Sequence, residues 1–168
     1  NLLLDGLLQS VHRHGLQLLI EIIEPQHQEE TYLQLARAKH IDGLILAGVR
    51  KDDQGVASLS KEGLPAVLIG SLPNSSIDNV DVDNAAASQV AVEHLISLGH
   101  SRIACITNAS LEFAAPAQRL DGYRRALEAA GLPTLPELVR CGDYDIVSGY
   151  DQMNSLLAAE APFSAVFV

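Results

Sequence analysis

An α/β fold of parallel sheets flanked by helices is what this sequence predicts, on three observations. Residues 79–127 read in order as a short strand, a helix, an apolar strand, a loop and a second helix. That order belongs to a parallel sheet wrapped by its own crossovers. Other apolar runs, LQLLIEII at 16–23 above all, are too apolar and too short for anything but strands buried on both faces. Glycine stops, Gly99-His100 and Gly131-Leu132-Pro133, close the intervening helices. Ligands of such sheets bind beyond the carboxyl ends of the strands. The loop from Asn108 to Pro116 and the helix turn carrying Arg119 would sit at that edge, so a small polar molecule is expected there, bound without chemistry.

The 168 residues allow one good-sized domain or two small lobes. With 48% of them hydrophobic, a packed core is expected. A formal net charge of −10 repels phosphate backbones, so this segment is not expected to grip DNA itself. There is no run of about 20 apolar residues to span a membrane, and the first residues given do not read as a leader of the secretory type. Cys105 and Cys141 stand in apolar, strand-like contexts. They read as buried free thiols, consistent with a reducing cytoplasm, with a disulfide left open.

Taken in order, Leu3, Leu4, Leu7, Leu8 and Val11 fall at helical spacing and predict an amphipathic helix ending near Gly15. The strand 16–23 follows, then a helix from Gln28 to His40 with Leu33, Ala36 and Tyr32 inward. Residues 41–46 enter a second buried strand. A short helix from Val56 to Glu62, the strand Ala66 to Ile69 and a polar connection from Ser71 to Ser76 come next. A strand ending at Asp83-Asn84 leads into a helix from Ala85 to Leu98, and Arg102 to Thr107 is the following strand. Beyond the Arg119 helix come a strand at Leu138 to Cys141, a helix at Ile146 to Glu160 and a strand opening at Ala165. A helix without a strand beneath it at the start, and a strand at the last residue, give the expectation of a piece of a larger domain. Open strand edges of that kind invite pairing.

Several residues at the strand tips are candidates for binding. Asp83 reads as the helix cap; Asn84 can cap as well, or turn its amide toward a ligand. Pro116 suits the first helical position, which would put Arg119 in the opening turn, where a cation opposes the helix dipole. Either Glu112 or Asp121 pairs with Arg119, or its guanidinium fork reaches the cleft to hold two ligand oxygens. Tyr144 follows Gly-Asp at another strand end, where an aromatic can stack on a ligand or serve the rim. Thr107, Asn108 and Ser110 supply hydroxyl and amide groups at the same edge, or are ordinary turn residues. Histidines 12, 14, 27, 40, 94 and 100 form no metal-spaced set, so neither metal nor cofactor is expected. Nucleophile-elbow, phosphate-loop and dinucleotide motifs are wanting, so no enzyme is expected.

V-D-V-D-N at 80–84, E-H-L-I-S-L-G-H at 93–100, R-I-A at 102–104 and R-L-D-G-Y at 119–123 make the chain resemble the LacI/GalR family of bacterial transcriptional regulators. Asn1-Leu2-Leu3-Leu4, Ile41 to Ile45 and Leu64 to Val67 are similar to further segments of that family, so the resemblance covers essentially the whole chain. It implies a two-lobed, periplasmic-binding-protein-like effector domain with Rossmann-like lobes, incomplete here. Residues 1–83 would form the N-terminal lobe, lacking its first strand, and residues 84–168 part of the C-terminal lobe. A small polar effector, such as a sugar, would bind between them and alter operator binding by a separate helix-turn-helix that this chain lacks. The resemblance also implies a cytoplasmic homodimer, with Arg119, Tyr144, Asn84, Ser71 and Asn108 at the effector. One departure concerns specificity: the strand 64–69 commonly ends in an aspartate that binds sugar hydroxyls, and this chain has Gly70-Ser71. Leu3 and Leu4 also replace an aromatic pair.

Two other readings compete with this one. A periplasmic solute-binding protein for transport shares the fold, and a secretion signal upstream would favour it. A flavodoxin-like enzyme would reveal itself by turnover.

Overall fold

Parallel pairing joins six strands into two three-stranded sheets in the computed structural model, which describes residues 2–23 and 28–168. Asn1 and His27, named above, lie outside the described residues. In chain order the elements are α1 (Leu2–Arg13), α2 (Gln28–Lys39), β1 (Leu44–Ala47), α3 (Gln54–Glu62), β2 (Ala66–Ile69) and β3 (Asp78–Val80). Then come α4 (Asn84–Ser97), β4 (Ile103–Thr107), α5 (Ala114–Ala129), β5 (Val139–Cys141), α6 (Ile146–Ala158) and β6 (Ala165–Phe167). The first sheet has the order β1-β2-β3 and the second β5-β4-β6. Every ladder is parallel, with Leu44 opposite Ala66, Val67 opposite Asp78, Cys105 opposite Val139 and Ile103 opposite Ala165. All carboxyl ends within a sheet therefore lie on one side.

The second sheet explains why Ile103 to Thr107 is apolar without alternation: all five residues are buried. Ile103 and Cys105 pack with Val92 of α4 and with Leu120, Tyr123, Ala126 and Leu127 of α5. Ala104 and Ile106 point the other way, into a cluster with Leu138 and Leu156. A strand covered on both faces needs apolar residues at every position. On the first sheet, Leu46 and Leu68 meet Tyr32 of α2 with Val56 and Leu59 of α3. Tyr32 Oη donates to Asp53 at 2.7 Å, and the same carboxylate caps α3 by accepting from Gly55 N at 2.9 Å. The buried acid is thus satisfied from two sides.

Two predicted elements are corrected by the structure. Residues 16–23 form no strand; Ile22 is 93% exposed. Apolar side chains suit burial, but a strand also needs a ladder partner, and β1 pairs only with β2 among the described residues. The helix α1 forms where its spacing predicts, yet it buries none of its residues. The strand expected to end at Asp83-Asn84 stops at Val80, because Asp81 turns back on itself, accepting from Val82 N at 2.8 Å. Cys141 is exposed rather than buried, and both cysteines are free thiols. Burial pushes the Cys105 thiol up to about 12, with nearby Cys141 adding to the shift, so Cys105 is chemically inert at neutral pH.

Helix ends follow the chemistry of the sequence. Asp83 caps α4 by accepting from Ala86 N at 2.9 Å. Gly99 and Gly131 take left-handed conformations, φ 93° and φ 67°, after α4 and α5. His100 then bonds Ser164 Oγ through Nδ1 at 2.9 Å, and Arg102 Nε donates to Pro162 O. These two residues of the G-H-x-R segment fasten the approach to β6 onto β4. Their role is structural.

Candidate functional site

The carboxyl edges of both sheets converge on one cavity of about 120 Å³. Gly48 and Val49 reach it from the end of β1, Ile69 to Ser71 from the end of β2, Phe113 from the start of α5 and Tyr144 from the turn after β5. Pockets for drug-sized ligands run to roughly 300–1,000 Å³, so this space suits a small polar molecule. Gly48 and Gly70 have φ of 67° and 102°. In both, a strand turns sharply at the rim, a geometry that L side chains resist.

Segments from either side of the cavity also touch directly. Arg50 and Phe113 form an isolated antiparallel bridge, and Lys51 N donates to Glu112 O at 2.9 Å. Arg50 Nη1 pairs with Glu112 Oε2 at 2.7 Å. Asp52, and after it Glu112, raise the Arg50 pKa by accepting its hydrogen bonds.

Arg119 lies in the second turn of α5, not the first, because the helix begins at Ala114 and places Pro116 in its third position. The expected dipole penalty is correspondingly smaller. Neither predicted carboxylate pairs with it: Glu112 is taken by Arg50 and Asp121 by Arg125. The guanidinium instead donates from Nε to Asn84 Oδ1 at 3.1 Å and from Nη1 to Asn108 Oδ1 at 3.2 Å. Among the described residues Arg119 forms no salt bridge, and its charge is neutralised by no contact partner. Two neutral amide oxygens orient the fork and leave its charge available.

Asn84 is 3% exposed and is no cap. Its Oδ1 accepts from Arg119, while the two Nδ2 hydrogens are shared among Asp81 Oδ1 (3.2 Å), Val82 O (3.1 Å) and Gln118 Oε1 (3.2 Å). Gln118 passes the chain onward, donating from Nε2 to Ser71 Oγ at 3.0 Å. Four of the five candidates, Ser71, Asn84, Asn108 and Arg119, therefore belong to one hydrogen-bonded run, joined by a residue that sequence reasoning missed. The available signal was Gln118's place beside Arg119 on the helix turn facing the strand tips.

Tyr144 stands apart from that run but beside it. Its φ is 57°, an unusual conformation for a tyrosine. Tyr144 N donates to Asn108 O at 2.7 Å, and Asp145 caps α6 from the next position by accepting from Ser148 N at 2.8 Å. Ser148 lowers the Asp145 carboxyl below its usual value. The ring meets Phe113 edge-on with centroids 6.0 Å apart. Partial burial raises the Tyr144 phenol while the Arg119 charge pulls it back, so the two groups sense each other. Phe113 was also missed; its signal was an aromatic at the helix start beyond a strand end. Left-handed strain of this kind costs about 1–2 kcal/mol. Tyr144→Gly is expected to shift stability by less than about 1 kcal/mol, since relieved strain offsets the lost ring contact. Ligand affinity should fall about fivefold with it. Thermal melts and titrations of the variant check both numbers.

Two further strand-edge groups turn inward. Thr107 Oγ1 donates to Ala109 O at 2.9 Å, and Ser110 Oγ accepts from Glu112 N at 3.3 Å. Thr107 ends β4 and bonds the turn that follows it, and Ser110 serves that turn. Among the described residues, no group of three or more His, Cys, Asp or Glu could hold a metal ion, and no helix is long and apolar enough to cross a membrane.

Comparison with known proteins places this arrangement. Residues 2–167 match the family described as periplasmic binding proteins and sugar binding domain of the LacI family. The chain is 36% identical over 132 residues to the HTH-type transcriptional regulator CelR of Thermobifida fusca, covering 77% of this chain and 38% of that protein. It is 30% identical over 167 residues to the HTH-type transcriptional repressor CytR of Escherichia coli K12, covering 98% of this chain and 49% of CytR. The solved complex of a CelR regulator with cellobiose superposes with a TM-score of 0.80 at 33% identity, covering 94% of this chain and 49% of that one. The chain thus spans about half the length, or less, of these relatives. With a family match across nearly every residue and the two parallel sheets the resemblance implies, the chain belongs to the LacI family of periplasmic-binding-protein-like domains.

Proposed function

We propose that this chain is the effector-sensing part of a LacI-type transcriptional repressor. Residues 1–83 and 84–168 contribute to its two lobes. A small oxygen-rich metabolite, such as a sugar, seats at the converging strand tips. Arg119 is its anchor, Asn84 and Asn108 orient the fork, and Ser71 and Tyr144 form the facing rim. The observation that carries this reading is the run of hydrogen bonds from Ser71 through Gln118, Asn84 and Arg119 to Asn108. Such a run holds a cation with no carboxylate partner among the described residues and reaches, through Ser71, the cavity between the two sheets.

Binding without chemistry fits the groups present: donors, amides and aromatic rings, with no nucleophile beside a base. The relatives named above are regulators of the helix-turn-helix type, which favours a cytoplasmic, homodimeric repressor over a transport protein. Operator DNA would be bound by a separate helix-turn-helix, since the acidity of this segment opposes phosphate contact. The effector can act on operator affinity only through its different affinities for the open and closed arrangements of the lobes.

A thermal-shift screen of the full-length protein against sugars, nucleosides and phosphorylated metabolites tests the reading. One class is expected to raise Tm with concentration, stabilising by about 2.7 kcal/mol at a hundredfold excess over Kd. The same compound should change operator affinity. A compound that stabilises the protein and leaves operator affinity untouched contradicts the proposal.

A further inference from the structure

We infer that Gln118 is a specificity-determining positioning residue: it forces the Ser71 hydroxyl to present its hydrogen, not a lone pair, to a ligand in the cavity. The inference rests on the effector-site reading above and narrows the chemistry of the guest.

Donor and acceptor parity along the run decides the direction of each bond. A guanidinium can only donate, so the atom of Asn84 that meets Arg119 Nε is its oxygen. The other end of that amide meets the Asp81 carboxylate and the Val82 carbonyl, neither of which can donate, so it is the nitrogen. Both neighbours thus fix the Asn84 orientation independently. Its nitrogen also faces Gln118, which must offer an oxygen there and a nitrogen at its far end. That nitrogen meets Ser71 Oγ at 3.0 Å. Ser71 therefore accepts from Gln118. Its own hydrogen has no acceptor among the described residues, and Ser71 lines the cavity.

Every link of the run has one permitted direction, set by the charge of Arg119 at one end and read out at Ser71 at the other. The Ser71 O–H then faces the cavity, and the N–H groups of the fork that Asn84 and Asn108 leave unbonded stand at the other end of the run. The guest that satisfies them carries acceptor oxygens, as a carboxylate, phosphate or sulfate group does. The left-handed turn at Gly70 is what brings Ser71 to this rim.

Inorganic sulfate, which has acceptors alone at neutral pH, is the probe. Calorimetric titration of the full-length protein should show sulfate binding, competitive with any effector found by screening. Ser71→Ala and Gln118→Met should each weaken it about tenfold to a hundredfold, as the loss of one hydrogen bond to a charged group does. Methionine keeps the shape of glutamine and removes both its bonds. The double variant should be no weaker than either single one, because Gln118 acts through Ser71. Multiplying losses in the double variant overturn the inference. So does Gln118→Met lowering Tm with sulfate affinity unchanged, which marks a purely structural residue. Failure of the wild type to take sulfate also overturns it, while the effector-site reading still stands or falls by the screen.

Discussion

Gly122→Ala should unfold the packing between α4 and α5. A Cβ built on Gly122 would lie 2.1 Å from the Ala85 carbonyl oxygen, 2.9 Å from Ser88 Cβ and 3.0 Å from the Ala85 carbonyl carbon. The nearest obstacle is backbone at the first turn of a helix, not the end of a flexible side chain, so the helices must part. Overpacking costs about 3 kcal/mol here, against about 1 kcal/mol gained from alanine's helix propensity. A net loss of about 2 kcal/mol lowers Tm by about 4–8 °C for a chain of this size. Differential scanning calorimetry checks it. The consequence reaches the site, because Ala85 follows Asn84, and parting the helices pulls Asn84 away from Arg119 and Gln118. Effector affinity should fall along with Tm.

Arg119→Ala should abolish effector binding and leave the fold standing. The substitution removes a charge-assisted fork worth about 3–5 kcal/mol to a bound oxyanion or hydroxyl pair, which is a loss of at least about 100-fold in affinity. In the unliganded protein it removes two bonds to neutral amide oxygens. Because Asn84 is buried, its stranded oxygen should cost about 1–2 kcal/mol of stability. Arg119→Lys separates charge from geometry: a lysine keeps the cation and loses the fork, so affinity should recover only in part. Calorimetric titration on the full-length protein measures both. Affinity unchanged in Arg119→Ala removes the residue from the site.

The R-L-D-G-Y segment shows how far the sequence could be read. Its five positions do five different things. Arg119 stands at the strand edge, Leu120 in the core, Asp121 in a pair with Arg125 and Gly122 at the helix crossing, while Tyr123 is buried with its hydroxyl donating to Ile103 O at 2.8 Å. Spacing placed the helix and its glycine stop, and the strand tips that it faces. It could not separate Arg119 paired with Glu112 from Arg119 aimed at a cleft, because that choice depends on Arg50 arriving from another sheet to occupy Glu112. Gln118 escaped notice for the same reason. Its partner Ser71 lies 47 positions away in the chain. Residues 16–23 failed in the opposite direction: composition announced burial, while strand formation needs a neighbour that composition does not supply. Tyr144 was legible as a strand-end aromatic, but its left-handed backbone was not, since Gly-Asp before it gave a turn without fixing which residue bears the strain.

The proposed function depends above all on the Arg119 fork, held by two amide oxygens, reaching an oxygen-rich guest between the two sheet edges. A crystal structure of the complete domain with the compound that gives the largest thermal shift is the decisive test. A ligand oxygen is expected within hydrogen-bond reach of Arg119 Nη2, with the bonds to Asn84 and Asn108 kept. A ligand seated elsewhere, with Arg119 bound only to those two asparagines, would contradict it.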